Sequence, residues 1–111
     1  MRLTPDLQTS YNRFAQQLAD LSKTLHMLPE LKSTPRAYSD SVSSLAIIPA
    51  TTADYLTDRS ELELRGWRQA STFTCSDGTE LIHLKHPATT TLLAFHVSPA
   101  IVAELRITDN I

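Results

Sequence analysis

Hydrophobic positions at the start of the chain fall into one repeating pattern. Leu7, Tyr11, Phe14, Leu18, Leu21, Leu25 and Leu28 follow one another at steps of 4, 3, 4, 3, 4 and 3. That alternation is the a/d spacing of a coiled-coil seam. The residues between are mostly polar, among them Gln8, Thr9, Asn12, Arg13, Gln16 and Asp20. Thr4 can cap a helix, and Pro5 suits the first helical position because its missing N–H needs no partner there. Asp6 complements the helix dipole, and Pro29 disfavours helical geometry at Leu28. The pattern predicts an amphipathic segment over residues 4–28, with the helix itself over about 5–27 and some ~35 Å long.

Residues 29–44 hold five serines and two prolines that interrupt any period. They read as a connector, or as a weak strand near Ala37–Val42. Leu45-Ala46-Ile47-Ile48 is a short apolar run stopped by Pro49 and reads as a buried strand. Over residues 51–66, Thr51 or Thr52 can cap a turn through Tyr55 and Leu56. Ser60-Glu61-Leu62-Glu63 has capping-box spacing, and Gly66 can close a helix in the left-handed conformation. A competing reading makes Glu61–Arg65 a strand, because Leu62 and Leu64 alternate with charges. The two capping signals favour a helix.

From Trp67 onward the pattern is β. Two β-prone runs, Arg68–Ser76 and Thr79–His86, flank Asp77-Gly78, a strong signal for a two-residue hairpin turn of type I′. That turn sets Phe73 opposite Ile82 and Cys75 opposite Glu80, and places Phe73, Ile82 and Leu84 together on a core face. Thr89–Val97 makes a further strand. Ser98 caps a last helix, Pro99–Ile107, with Ile101 and Leu105 on one face. The expected fold is α+β in the order α-β-α-β-β-β-α: a long N-terminal helix, a short strand, a short helix, a three-stranded antiparallel meander and a C-terminal helix, with helices on one face of the sheet. The whole of 1–111 is expected to form one domain, residues 45–107 supplying the sheet and its two short helices.

Composition narrows the function more than it identifies one. Aromatics make up 6% of the 111 residues, so the core must rest on Leu, Ile, Val and Ala. The net charge is −2, and the ten Lys and Arg residues are scattered among acidic ones. Nucleic-acid binders gain affinity by neutralising phosphates with clustered cations, so such a partner is not expected. Cys75 is the one cysteine and cannot form an internal disulfide. No apolar run approaches the ~20 residues that span a bilayer, and the first residues lack a signal-peptide core. A cytoplasmic location without membrane contact is the expectation.

Candidate chemistry is sparse. His83, His86 and His96 sit near one another in sequence, but zinc needs three or four converging ligands. His83 and His86 are three apart on a strand and point to opposite faces. Cys75 would face Glu80, a carboxylate that disfavours the thiolate. Glu61 and Glu63 diverge if helical. With Gly66 and Gly78 as the only glycines, the phosphate-binding loops that need several are absent. No catalytic, cofactor-binding or metal residues are assigned, and no cofactor is expected.

The seam carries more content. Its flanking positions, Gln8, Ala15, Ser22, Ser10, Gln17 and Thr24, are uncharged, so the charge code that pairs a long parallel coiled coil is missing. The helix can pack within its own fold or against another chain. Trp67 between Arg65 and Arg68 is a possible contact hot spot or a core-edge residue. The expected interaction residues are Leu7, Tyr11, Phe14, Leu18, Leu21, Leu25 and Trp67. The expected function is that of a small non-catalytic accessory, adaptor or regulatory protein. It would bind another protein or a second copy of itself, as a homodimer. Two alternatives stay open. One is a small-ligand sensor or minor enzyme with a pocket between sheet and helices, using His83, His86 or His96. The other is a nucleic-acid-associated factor using Arg59, Arg65, Arg68 and Lys85.

Overall fold

The computed structural model describes residues 5–38 and 41–109. Helix α1 runs Pro5–Met27; Thr4, its expected cap, lies outside the described residues. The segment after it holds more structure than a connector. Strand β1, Arg36–Tyr38, pairs antiparallel with β2, Ser41–Ile47, so the sheet begins before the expected Leu45. Ser39 and Asp40, inside the weak strand expected near Ala37–Val42, lie outside the described residues.

Helix α2 is one continuous element, Thr52–Leu64. Its N-cap is Thr51, whose Oγ1 accepts the Asp54 N–H at 3.1 Å. Ser60 therefore sits inside the helix and caps nothing, and the capping box expected there does not form. Glu63 instead accepts from Arg59 Nε at 2.9 Å, one turn back. The far end closes as the sequence predicts. Gly66 takes φ +98°, its N–H reaches the Glu63 carbonyl at 3.1 Å and the Trp67 N–H reaches Leu62 O at 3.1 Å. That pair of bonds is a Schellman ending, which needs a residue free to adopt positive φ.

Strands β3 (Arg68–Thr74), β4 (Glu80–Lys85) and β5 (Leu92–Val97) form the antiparallel meander, and α3, Pro99–Asp109, follows. Ser98 caps α3 through Oγ, which accepts the Ile101 N–H at 3.4 Å. β2 joins the meander by pairing parallel with β5. The result is an α+β fold on a mixed sheet of four strands, with short β1 added at its edge in the order β1-β2-β5-β4-β3.

The hairpin forms with a different turn. The Gly78 N–H bonds Cys75 O at 3.0 Å, and the Cys75 N–H bonds Thr79 O at 2.8 Å. Gly78 has φ +90° and among the described residues no non-glycine residue has positive φ, which excludes type I′ at Asp77. The loop is three residues long, Ser76-Asp77-Gly78, with glycine in the left-handed position. Phe73 therefore faces Leu81, not Ile82, and Thr74 faces Glu80. Side chains alternate sides along a strand, so this one-residue slip carries Phe73 from the expected core face to the opposite one.

The core lies on one side of the sheet. Leu45, Ile47, Ile82, Leu84, Leu93, Phe95 and Val97 meet Tyr55 and Leu62 of α2, Ile101 and Val102 of α3, and Trp67. Tyr55 and Phe95 pack edge to face with centroids 5.1 Å apart. The C-terminal end of α1 joins the same side through Leu21 and Met27, with Leu28 and Leu31 beyond it. The other side carries a cross-sheet row of Arg36, Ala46, Ala94, His83 and Ser71, and a second row of His96, Leu81 and Phe73.

Candidate interaction surface

Helix α1 is two structures in one. From Asp6 to Gln16 every residue is exposed, so this half is solvated all round. The seam residues there and just beyond remain uncovered: Leu7 is 57% exposed, Tyr11 62%, Phe14 51%, Leu18 42% and, further on, Leu25 48%. Of the seam, Leu21 and Leu28 pack against the core. The helix meets its own fold instead through a rotated face, where Thr24 is fully buried and Met27 is half-buried. The molecule measures 63 × 31 × 20 Å.

One side chain clamps the packed half. Asp20 Oδ2 accepts from the hydroxyls of Thr89, Thr90 and Thr91 at 2.7, 2.6 and 3.1 Å. It also accepts from the N–H groups of Thr90 and Thr91 at 2.7 and 2.9 Å. Thr24 Oγ1 lies 2.6 Å from Thr89 Oγ1 and donates to Asp20 O at 2.8 Å. The Thr90 hydroxyl contributes most to stabilising the carboxylate and, with the other donors, outweighs the opposing effect of burial. Asp20 is held well below the usual carboxylate range. Sequence gave no sign of this clamp, because its partners lie about seventy positions away.

A second carboxylate braces the chain leaving α1. Asp58 of α2 is fully buried, and its two oxygens accept the N–H of Lys32 at 2.6 Å and of Ser33 at 3.1 Å. Asp20 and Asp58 thus fix where α1 ends and how it leaves the body, while the first half of the helix extends beyond it.

Trp67 does not belong to the exposed surface. Its side chain is wholly buried, it lies 5.3 Å from the His86 ring, and its Nε1 has no hydrogen-bond partner among the described residues. Exposed Arg65 and Arg68 thus flank a residue of the core.

The three histidines divide between two places. His86 Nε2 donates to the Arg65 carbonyl at 2.9 Å while its Nδ1 accepts the Ala88 N–H at 3.0 Å. His83 and His96 share the open sheet face, where burial and then the neighbouring His83 hold His96 below the usual histidine value. Among the described residues no three His, Cys, Asp or Glu side chains gather as a metal site would.

A cleft of about 290 Å³ lies between α2, α3 and the strands beneath, lined in part by Tyr55, Arg59, Gln69, Glu80 and Arg106. Its polar groups are engaged with one another. Arg59 donates to Tyr55 Oη at 2.6 Å, Gln69 Oε1 at 2.6 Å and Glu63 at 2.9 Å. Arg106 donates to Glu80 at 3.2 Å. Arg65 pairs with Glu61 at 3.3 Å, and Arg68 donates to the carbonyls of Glu63 and Trp67. These arginines do not form one basic face.

No helix among the described residues is long and apolar enough to cross a membrane.

No protein-family model matches the chain, nor does any curated protein or solved structure.

Proposed function

We propose that the protein is non-catalytic and works by association: a small accessory or regulatory protein whose α1 binds another protein chain, with a second copy of itself as the first partner. The observation that carries this reading is the uncovered seam. Four large apolar residues in regular helical spacing, Leu7, Tyr11, Phe14 and Leu18, are each more than two-fifths exposed. Contiguous apolar surface of that kind marks interaction sites in monomeric folds. An amphipathic helix laying its apolar face on a partner is a common recognition mode. The mutual pairing of the cleft's polar groups supports a non-catalytic role over a pocket enzyme. The paired arginines argue against a nucleic-acid surface. A single free thiol, Cys75, suits a reducing, cytoplasmic setting.

Analytical ultracentrifugation at micromolar concentration tests the reading. The wild type should sediment as a dimer and Phe14→Asp as a monomer. A wild type that stays monomeric, or a Phe14→Asp variant that associates as the wild type does, would refute it.

A further inference from the structure

Where α2 ends, β3 begins and β4 ends, a second pocket of about 320 Å³ is lined by Gly66, Arg68, Lys85, His86 and Pro87. Two of these residues are cations and none is acidic. Arg68 and Lys85 are direct cross-strand partners, and like charges set opposite each other repel. Lys85 forms no ion pair among the described residues. The carboxylates at the end of α2 are engaged elsewhere, Glu63 with Arg59 and Glu61 with Arg65.

The two cations are held differently. Arg68 Nη1 donates to the carbonyls of Glu63 at 2.8 Å and Trp67 at 2.7 Å. Those two bonds fix the guanidinium and leave its Nε and Nη2 hydrogens for an acceptor. Lys85 brings an ammonium on a flexible stem that can follow a ligand. The remaining wall is carbon. Gly66 presents a bare α-carbon and Pro87 its ring. Both nitrogens of His86 are already bonded, Nε2 to the Arg65 carbonyl and Nδ1 to the Ala88 N–H. The His86 ring is backed by buried Trp67, 5.3 Å away, so the wall is braced by the core.

We propose that this pocket binds a small organic acid, with its carboxylate between Arg68 and Lys85 and its apolar body against His86 and Pro87. A neutral ligand would leave the two opposed cations uncompensated. An anion without an apolar body would leave the carbon wall wet. The volume is at the small end for ligand pockets, which suits a single-ring acid. The site is separate from the seam of α1 and does not depend on self-association. It does adjoin the anchor of that helix: the loop that begins with His86 and Pro87 continues into Thr89, Thr90 and Thr91, the residues that hold Asp20.

Benzoate is the probe, titrated at constant ionic strength into the full-length protein and followed by amide NMR shifts. Benzamide supplies the same ring without the charge, and acetate the charge without the ring. Benzoate should shift the amides of Gly66, Arg68, Lys85 and His86 along a saturable curve with a dissociation constant on the order of 1 mM. Benzamide and acetate should each bind more weakly. Lys85 is exposed, so Lys85→Gln keeps the fold, which its amide spectrum verifies. It should weaken benzoate roughly threefold to tenfold, and Lys85→Arg should restore binding. Shifts that do not saturate, or that scatter over the surface, would overturn the proposal. So would benzamide or acetate binding as well as benzoate, or a Lys85→Gln variant that binds as the wild type does.

Discussion

Asp20 Oδ2 accepts the Thr91 N–H at 2.9 Å, tying the middle of α1 to the residue that leads into β5. Thr91 is almost fully buried, so this bond is partly shielded from competition with water, as is the bond from Thr89, while those from Thr90 are exposed. Losing the acceptor strands several donors at once. Asp20→Ala should lower stability by roughly 1–3 kcal/mol, the range for unsatisfied buried groups and hydrogen bonds to charge.

The same carboxylate gives a pH signature. Its value in the folded protein is depressed, so its stabilisation is present in full above the unfolded value near ~3.9. It fades as pH falls from there toward the folded value. Denaturant melts of wild type and Asp20→Asn should differ most near neutrality and converge below about pH 4. A difference that stays constant from neutral pH into strong acid would show that charge plays no part in the clamp.

Asp58 predicts a larger loss. Both its oxygens serve backbone N–H groups, and the side chain itself is fully buried. Asp58→Ala should destabilise by about 3 kcal/mol or more, since two donors lose their acceptor. Asp58→Asn should recover part of this, because an amide keeps one acceptor oxygen but turns its NH₂ toward the other donor. Chemical denaturation of the three proteins reads the order directly.

Gly66 is closed to substitution for two reasons. Its φ of +98° disfavours any side chain, and a Cβ there would stand 2.9 Å from His86 Nε2. Gly66→Ala should lower the melting temperature beyond the roughly 1 kcal/mol of left-handed strain. Adding His86→Ala should return the excess by making room. Melts of the single and double variants test whether the two positions are coupled.

Leu18 and Leu21 should behave oppositely although they are neighbours in the seam. Leu21 packs against the core, so Leu21→Ala should lower the melting temperature at every protein concentration. Leu18 is 42% exposed, so Leu18→Ala should leave the dilute monomer nearly unchanged. It should instead remove the rise of melting temperature with concentration that mass action gives an associating protein.

Local chemistry made much of this fold legible. Pro5 and Pro29 bracket α1, Gly66 ends α2, and Ser98-Pro99 starts α3. Each signal acts within a turn of the residue that carries it. The hairpin was legible as a hairpin but not in register, because Asp-Gly serves both a two-residue and a three-residue turn. That difference decides on which side Phe73 emerges. The parallel pairing of β2 with β5 and the Asp20 clamp join residues far apart in sequence, and no periodicity records such contacts. Periodicity showed that α1 has an apolar side. It did not show that Thr24 and Met27, rather than the seam alone, would meet the core. The seam's exposure at Tyr11 and Phe14 is visible only once the body of the protein has been placed.

A helix with half its length unsupported has uneven protection along its backbone. Isolated helical segments shorter than ~12–15 residues are marginal in water. The stretch from Asp6 to Gln16 should therefore fray and exchange its amide hydrogens within the time of a fast labelling pulse when the protein is dilute. Past Asp20, where threonine donors and the core hold the helix, exchange should slow toward the rate set by global unfolding. As concentration rises and a second chain covers the seam, the slow region should spread toward the N-terminus. The boundary between fast and slow amides along α1 would then report the assembly state of the protein residue by residue.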